Sequence, residues 1–479
     1  SERLKLVSVQ EASYEIYIKT NVYKNESLKN SLVIKMEKLA ALGGKKAVSL
    51  GIKKWPDDFV KAHKEELQAA LNRVLERGVI AGPFAPEVVA LQEEFARYMG
   101  VKNALALNSG TSAIHTAVAA AGIGPGDEVI TSAHTFVASA VAVLHNNAIP
   151  IFVDIDPKTY NMDPAKIEEK ITKKTKAIEP VHIYGLPADM DPIKKIADSY
   201  GLTVIEDVAQ AHGAQYKGKK AGGLGDMGCF SIQATKHMTS GEGGMLVTDD
   251  DELLQAAERI RVFGEDIRPW KPREYKSYVM GWMYRMTELQ ASFARVFLKH
   301  LDENIETRVK NSEYLTSHLK KIPGLIPPYV PPDRTHTYYI YRIRVDPSQL
   351  DIKMPTNEFR DRLVAALRAE GVPADIYSYH AVYMSPLFQR LEGYGKGCPW
   401  SCKYVERKIE YHEGDCPVAE TVGKETFNFW DIAAPNDLEL MEQYVYALKK
   451  VIENADQLKN IKLEKYTLTG GHILVPETA

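Results

Sequence analysis

One lysine stands between a short apolar run and a glycine-rich segment. The stretch Cys229-Phe-Ser-Ile-Gln-Ala-Thr-Lys236-His-Met-Thr-Ser-Gly-Glu-Gly-Gly244 places Lys236 in a polar turn. Ser231 lies five residues before this lysine, where its hydroxyl can hold an anion. The glycines allow the backbone to approach a bulky ring closely. This spacing suits a lysine amine that has to reach a buried electrophile.

An aspartate at the end of another apolar run supplies a second reactive group. Asp207 stands in Ile205-Glu-Asp207-Val-Ala-Gln210-Ala-His-Gly213, twenty-nine residues before Lys236. A lysine that forms a Schiff base and an aspartate that pairs with a pyridinium nitrogen are the usual protein contribution to pyridoxal phosphate chemistry. Each residue alone is weak evidence, because most lysines that follow a strand are solvated. Together, in this order, they predict a site for pyridoxal 5'-phosphate.

The phosphate of such a cofactor needs donors in fixed positions. Gly110 and Thr111 open a predicted helix, whose first backbone amides and dipole favour an anion. These residues also fit an ordinary helix N-cap, and the two interpretations are compatible. Ser231 is expected to add its hydroxyl to the same anion site.

The elements that must position these residues alternate along the chain. From about Pro56, helical and strand-like patterns follow one another, which is typical of an α/β domain. Apolar runs that end in polar or turn residues predict strands at 104–107, 128–130, 149–154, 177–182 and 202–206. Such runs, separated by helices, predict a mostly parallel buried sheet. The chemical motifs follow these runs, and ligands of open α/β sheets bind at the carboxyl ends of the strands.

Two helices are predicted from apolar spacing. The first runs from Phe59 to Leu75 and is closed by Gly78. The second is a long helical stretch from about Met286 to Leu319. This second helix is expected to link the large lobe to a smaller one.

The chain is predicted to divide into two domains with unassigned ends. A large cofactor-binding domain is expected over 36–300 and a small C-terminal domain over 301–460. The small domain begins with the strand-like stretch 338–345, contains a helix near 357–370, and includes an insertion or loop near the site at 396–413. Residues 1–35 are interpreted as an N-terminal extension that either forms a peripheral strand or derives from an upstream start, and 461–479 as a tail.

Composition argues against several classes of protein. Sixty basic and sixty-three acidic residues give a net charge of −3, which offers no reason to expect nucleic acid or membrane partners. No apolar run approaches the ~20 residues of a membrane span. Four cysteines in 479 residues argue against a disulfide scaffold and favour a cytoplasmic location. The spacing of Cys398, Cys402 and Cys416 is a poor zinc signature, so no metal site is predicted.

Several stretches together carry a resemblance to one family. They are Asn108-Ser-Gly-Thr-Ser-Ala113, Gly126-Asp-Glu-Val-Ile130, Thr135-Phe136, Pro180-Val-His-Ile-Tyr-Gly185, Ala188-Asp-Met-Asp191, Tyr284-Arg-Met-Thr-Glu-Leu-Gln290 and the two motifs around Asp207 and Lys236. Over roughly residues 36–458 the sequence resembles the DegT/DnrJ/EryC1/StrS sugar aminotransferases, which are pyridoxal phosphate enzymes of fold type I. The resemblance implies an α/β fold with a mostly parallel seven-stranded sheet between helices and a smaller α+β C-terminal domain.

Two shorter segments resemble a subgroup of that family. Leu39-Ala-Ala-Leu-Gly-Gly-Lys-Lys-Ala-Val48 and Cys416-Pro-Val-Ala-Glu420 are similar to segments of enzymes that aminate keto-cyclitols such as scyllo-inosose, or that make aminohydroxybenzoate precursors. The resemblance therefore implies transfer of an amino group from L-glutamate or L-glutamine to a keto-sugar or keto-cyclitol. The expected mechanism is ping-pong, through the internal aldimine of Lys236.

The resemblance also suggests roles for single residues. Phe136 occupies the position of an aromatic ring that stacks on the cofactor, and Gln210 that of a side chain beside the ring hydroxyl. Tyr184, Arg285 and His336 are candidate substrate contacts.

One position departs from the family pattern. The family commonly forms homodimers with active sites at the subunit interface, and an asparagine two residues before the Arg285 position reaches the phosphate of the partner subunit. This chain has Met283 there, and methionine cannot donate a hydrogen bond. Either Tyr284, Arg285 or another group replaces the contact, or the phosphate is held more weakly.

Two other functions compete with transamination. A pyridoxal phosphate-dependent sugar dehydratase would share the fold, but that branch has histidine at the position of Lys236. A catalytically inactive, cofactor-binding regulator would need neither Asp207 nor Lys236, and the chain keeps both. Transamination is therefore the leading hypothesis.

Overall fold

The computed structural model describes residues 37–376 and 380–463. The predicted extension 1–35, with its predicted strand, lies outside the described residues, as does the tail beyond residue 463. The strands are β1 (Asn103–Leu107), β2 (Glu128–Ser132), β3 (Ile149–Val153), β4 (Thr175–Glu179), β5 (Thr203–Asp207), β6 (Gln215–Tyr216), β7 (Lys219–Lys220), β8 (Met227–Ser231), β9 (Gly244–Thr248), β10 (Leu325–Ile326), β11 (Tyr341–Val345) and β12 (Thr426–Phe429). The α-helices are α1 (Asp57–Ala62), α2 (Lys64–Arg77), α3 (Pro86–Met99), α4 (Gly110–Ala120), α5 (Ala138–His145), α6 (Met190–Tyr200), α7 (Asp251–Arg261), α8 (Glu288–Lys299), α9 (Leu301–Leu319), α10 (Thr356–Ala369), α11 (Pro386–Arg390), α12 (Pro417–Glu425) and α13 (Leu438–Glu453).

Seven strands form the central sheet, in the order β1-β9-β8-β5-β4-β2-β3. The pairs from β8 to β3 are parallel, whereas β9 runs antiparallel to both β8 and β1. Both faces are covered by helices, so these strands are near-continuous apolar runs with few exposed positions. The mostly parallel sheet predicted from the apolar runs, and the seven strands implied by the resemblance, are both confirmed.

The carboxyl ends of the parallel strands gather the chemical motifs at one edge. Helix α4 begins just after β1, Phe136 follows β2, and Asp207 ends β5. Ser231 ends β8, and Lys236 lies in the turn that follows. Parallel strands place their carboxyl ends side by side. Residues separated by more than a hundred positions therefore meet there.

A smaller antiparallel sheet lies later in the chain. It has the order β10-β11-β12 and shares a second apolar core with helices α9, α10 and α13. Leu39 and Val48, from the start of the described chain, pack into this second core. The division of the chain into domains at residue 300 stays a prediction.

The segment 381–422 packs on the large sheet. Phe152 of the edge strand β3 contacts the rings of Tyr383, Phe388 and Tyr411. The Tyr411 hydroxyl donates to the Pro150 carbonyl at 2.8 Å, and Arg407 pairs with the buried Glu128 of β2 at 2.8 Å. Covering an edge strand protects its unpaired backbone groups from pairing with another chain. The predicted insertion 396–413 therefore shields the β3 edge.

Two predicted helices are each divided in the structure. Helices α1 and α2 meet at His63, and α8 and α9 meet at His300, both with non-helical backbone angles. The two imidazole rings lie 4.4 Å apart, and Glu66 accepts a hydrogen bond from His300 at 3.0 Å. The breaks thus occur where the two pairs of helices pack together. Apolar spacing continues across both breaks, and this is why the sequence predicted single helices.

The strand-like stretch 338–345 is shorter in the structure than predicted. Tyr338 adopts φ +47°, and strand β11 begins only at Tyr341. A left-handed residue cannot continue a strand.

Of the described helices, none has the length and apolar character needed to cross a bilayer.

Candidate active site

A cavity of about 390 Å³ opens at the carboxyl ends of the parallel strands. Its lining residues are Ser109, Gly110, Thr111, Ile114, Thr135, Phe136, Ala138, Val181, Asp207, Ala209, Gln210, Ser231, Gln233, Thr235, Lys236, Glu242 and Tyr339. All seven residues predicted to hold the cofactor or carry the chemistry are among them. The fold therefore brings into one cavity motifs that lie far apart in the sequence.

One end of the cavity is built to hold an anion. Ser109 caps helix α4: its hydroxyl accepts from the Ser112 amide at 3.0 Å, and the Ser112 hydroxyl accepts from the Ser109 amide at 3.1 Å. This reciprocal cap fixes the first turn, so that Gly110 and Thr111 present their backbone at the cavity. Helix amides at this position and the helix dipole favour a phosphate.

Glycines allow this anion site to form. A Cβ atom at Gly110 would lie 2.6 Å from the Cβ of Ser231, and one at Gly244 would lie 2.1 Å from the Ser109 carbonyl oxygen. Neither approach is possible with a larger residue. Gly244 of the glycine-rich segment therefore makes room for the start of α4, whereas the approach of these glycines to a ring stays a prediction.

Asp207 also lines the cavity, and only 5% of its surface is exposed. One carboxylate oxygen accepts from the Ser139 hydroxyl at 2.8 Å and the other from the Ala209 amide at 3.0 Å. Burial raises the pKa of Asp207, and these two hydrogen bonds and the charge of Lys236 partly offset that rise. A buried carboxylate of this kind is stabilised by a cationic partner, such as a protonated pyridine nitrogen.

Lys236 reaches the cavity from the turn after β8. Its backbone is fixed on both sides, because its amide donates to the Gln233 carbonyl at 2.9 Å and its carbonyl accepts from the Trp55 indole at 2.8 Å. The side-chain Nζ donates to the Tyr339 hydroxyl at 3.2 Å and lies 4.3 Å from the centre of that ring. The amine is thereby held at a defined place on the cavity wall.

Phe136 and Gln210 also line the cavity. Half of the Phe136 surface is exposed, which is unusual for a phenylalanine and leaves a flat apolar face at the cavity. The Gln210 side chain is held by the Tyr184 amide, which donates to its Oε1 at 2.8 Å. The aromatic face suits stacking on a flat ring.

The three candidate substrate contacts do not line this cavity. The Tyr184 hydroxyl bonds to His134 at 2.6 Å in the interior, and His336 stacks on Tyr338 with ring centres 3.9 Å apart. Burial lowers the pKa of His336 to about 3. The Nε of Arg285 donates to the sulfur of Met283 at 3.3 Å. Their role in binding substrate stays a prediction.

Two polar residues were missed by the sequence analysis, namely Tyr339, which lines the cavity, and Glu179, which lies near Asp207 but outside the cavity lining. Tyr339 touches Lys236, although 103 positions separate them. Glu179 of β4 is fully buried, and neither of its carboxylate oxygens has a hydrogen-bond partner among the described residues. Burial and the nearby Asp207 raise the pKa of Glu179 well above its usual value. A glutamate that interrupts an apolar strand was the available signal for the second residue.

The donor set fits pyridoxal phosphate. An anion site lies at the start of α4, an apolar ring face stands beside it, and a buried carboxylate and a lysine amine face the same cavity. Each of these features matches one part of the cofactor, namely the phosphate, the ring, the pyridine nitrogen and the carbonyl carbon.

Comparison with known proteins agrees with this chemistry. Residues 61–422 match the DegT/DnrJ/EryC1/StrS aminotransferase family. A pleiotropic regulatory protein of Geobacillus stearothermophilus is 37% identical over 395 residues, covering 81% of this chain and 95% of that protein. An L-glutamine:2-deoxy-scyllo-inosose aminotransferase of Streptoalloteichus tenebrarius is 34% identical over 402 residues, covering 81% of this chain and 93% of that protein.

A solved structure is similar over the same range. The crystal structure of 3-amino-5-hydroxybenzoic acid synthase matches with a TM-score of 0.72 and 30% identity, covering 86% of this chain and all of that one. The chain thus belongs to the DegT/DnrJ/EryC1/StrS aminotransferase family. It is a pyridoxal phosphate-dependent transaminase of fold type I, as the resemblance implied.

Proposed function

We propose that this enzyme transfers an amino group from L-glutamate or L-glutamine to a keto-cyclitol or keto-sugar in a ping-pong reaction. The observation that carries the proposal is the single cavity faced by Lys236, Asp207 and the start of helix α4. The relative that acts on 2-deoxy-scyllo-inosose and the similar 3-amino-5-hydroxybenzoic acid synthase support a ring ketone as acceptor.

Seven residues are proposed to hold the cofactor. Gly110, Thr111 and Ser231 would bind the phosphate, and Phe136 would stack on the ring. Gln210 would lie beside the ring hydroxyl, Asp207 would pair with the pyridine nitrogen, and Lys236 would bond to the carbonyl carbon. When bound, the cofactor supplies an electron sink for the pair of electrons left at the substrate carbon.

The chain's own groups would manage the proton and the charge. Asp207 would stay ionised against the pyridine nitrogen, because Ser139 and Ala209 donate to its two oxygens. Lys236 would take a proton from the amino donor's carbon as a general base and then deliver it to the reactive carbon of the cofactor as a general acid. When the keto acceptor is bound, the same amine would move a proton in the opposite direction, from the cofactor carbon to the acceptor carbon.

The proposed assembly is a homodimer with active sites at the subunit interface. An exposed segment before Met283 supports it, since Trp270, Tyr275 and Met280 each expose at least 75% of their surface. Clusters of large exposed apolar side chains mark protein interaction sites. Symmetric dimers are also the commonest oligomers.

A second candidate function is regulation, because one relative is named a pleiotropic regulatory protein. A regulator that only binds the cofactor would not convert it to the amine form when glutamate or glutamine is added. A transaminase would do so, and the visible absorbance of the lysine-bound cofactor would disappear.

The substrate is tested by measuring each half-reaction separately. The loaded enzyme is first treated with L-glutamate, L-glutamine or L-alanine, and loss of the visible absorbance identifies the donor. The amine form is then offered 2-deoxy-scyllo-inosose, scyllo-inosose and nucleotide-linked 3-keto and 4-keto sugars. We expect the absorbance to return fastest with a ring ketone of the cyclitol type. Conversion only by α-keto acids would contradict the proposed acceptor class.

A further inference from the structure

Tyr339 lines the cavity and contacts the reactive amine of Lys236. Its hydroxyl accepts from Lys236 Nζ at 3.2 Å and lies 2.8 Å from the Thr235 hydroxyl. The amine also lies 4.3 Å from the ring centre, within the range of a cation–π contact. Tyr339 therefore offers the lysine both an oxygen and an aromatic face.

The side-chain oxygen of Gln233 fixes which group donates in each of these hydrogen bonds. Gln233 Oε1 accepts from the Thr235 amide at 2.9 Å and from the Thr235 hydroxyl at 2.8 Å. A backbone amide can only donate, so the Gln233 atom that it contacts is the side-chain oxygen. The Thr235 hydroxyl must therefore donate its proton to the same oxygen. The Tyr339 hydroxyl must then donate to Thr235. Its oxygen is left to accept from Lys236.

The phenol is held rigidly. The Tyr339 amide donates to the Tyr184 carbonyl at 2.8 Å, and the Tyr339 carbonyl accepts from the buried Arg308 at 3.2 Å. The ring packs edge to face against Trp430, with centres 5.4 Å apart. Only 5% of the Tyr339 surface is exposed. The hydroxyl thus has little freedom to leave the amine.

We propose that Tyr339 is a positioning residue for the reaction, whose oxygen and ring hold the amine of Lys236 in place between its proton transfers. This role rests on the proposed transamination. After Lys236 takes a proton, its ammonium is stabilised by the Tyr339 oxygen and ring face together. A fixed amine also returns to the same place for the second transfer, and misplaced catalytic groups lose rate steeply.

Tyr339→Phe separates the oxygen from the ring, and Tyr341→Phe is its matched control. The Tyr341 hydroxyl lies 2.8 Å from the Thr316 hydroxyl, and the residue does not line the cavity. The first measurement uses cofactor-free protein, acetic anhydride at pH 7 and peptide mass spectrometry. We expect acetylation of Lys236, relative to the other lysines, to rise about threefold or more in Tyr339→Phe, because the charged amine loses a hydrogen bond. Tyr341→Phe should match the wild type.

The second measurement uses the loaded enzyme in deuterium oxide. The rate at which glutamate or glutamine exchanges its α-hydrogen, followed by proton NMR, should fall about tenfold or more in Tyr339→Phe, while Tyr341→Phe keeps the wild-type rate. Wild-type acetylation or wild-type exchange in Tyr339→Phe would each overturn the role of Tyr339. If the wild type itself does not exchange, the proposed transamination fails, and the acetylation ratio still decides the contact with Lys236.

A second variant covers the case in which Tyr339→Phe does not fold. Thr235→Val removes the acceptor of the Tyr339 proton, so the phenol is free to donate that proton to the uncharged amine of Lys236. The variant thereby stabilises the uncharged amine, which the wild-type arrangement does not, and acetylation of Lys236 should again rise. A wild-type ratio in this variant would count against the proposed direction of the hydrogen bonds and overturn the role.

Discussion

Gly110 and Ser231, which both line the cavity, lie so close together that a Cβ atom at Gly110 would lie 2.6 Å from the Cβ of Ser231. The start of α4 therefore lies directly against the end of β8. This contact places the first backbone amides of the helix and the Ser231 hydroxyl around one point, as binding of a phosphate requires.

Gly110→Ala should weaken cofactor binding by about tenfold or more, because the added methyl group pushes the start of α4 away from Ser231 and costs at least one hydrogen bond to a charged group. The dissociation constant of pyridoxal phosphate is measured by absorbance titration of the cofactor-free protein. Gly124→Ala is the matched control, since no atom of the described part of the chain lies within 4 Å of a Cβ at Gly124. Equal affinities in the two variants would show that the phosphate lies elsewhere.

Glu179→Met should stabilise the protein by about 1–3 kcal/mol, the usual cost of a buried polar group without a partner. The raised pKa means that the folded protein keeps a proton on Glu179 that the unfolded chain loses above the ordinary value of 4.5. Stability from this proton is therefore lost as the pH rises.

The pH dependence separates the charge of Glu179 from its missing hydrogen bonds. Between pH 5 and pH 8 the unfolding temperature of the wild type should fall more than that of Glu179→Met or Glu179→Gln, since neither variant can ionise there. Glu179→Gln keeps the polar group, so it should gain less stability than Glu179→Met. Parallel pH profiles for all three proteins would mean that Glu179 finds a partner in solution.

Arg285→Ala should release cofactor, whereas Met283→Asn should change its dissociation constant by less than about twofold. Tyr284, one of the named candidates to replace the missing asparagine, lies with its hydroxyl 3.0 Å from the His115 ring of the same subunit. Arg285, the other named candidate, is therefore the group that we expect to bind the partner's phosphate. Titration of both variants, with the mass in solution measured by light scattering, tests the assignment. Tighter binding by Met283→Asn would favour a weakly held phosphate, and a fully active monomer would contradict the interface.

The sequence was informative where chemistry depends on local spacing. Asp207 and Ser231 each end a strand, and Lys236 follows the second strand directly, so that motif and sheet position could be predicted together. Helix α4 could be predicted for the same reason, because Ser109 and the residues after it form a local cap.

Contacts between distant segments could not be predicted in this way. Tyr338, Tyr339 and Tyr341 lie close together in the sequence, and Tyr284 directly follows Met283. Only the fold shows that Tyr339 is the tyrosine that reaches Lys236. The breaks at His63 and His300 depend on how two helix pairs pack, and the apolar pattern does not change there. The closeness of Glu179 to Asp207 depends on the register of β4 and β5, in which Val181, two residues after Glu179, lies opposite Asp207.

The central claim is that Lys236 carries the transamination, and Lys236→Ala tests it most directly. The measurement is the rate of the half-reaction with the amino donor in purified, folded protein, with Lys236→Arg as a variant that keeps the charge but not the nucleophile. We predict that both variants lose the visible absorbance of the lysine-bound cofactor and at least about a thousandfold in rate, since the covalent and proton-transfer roles are lost together. A half-reaction within about tenfold of the wild-type rate in either variant would contradict the account.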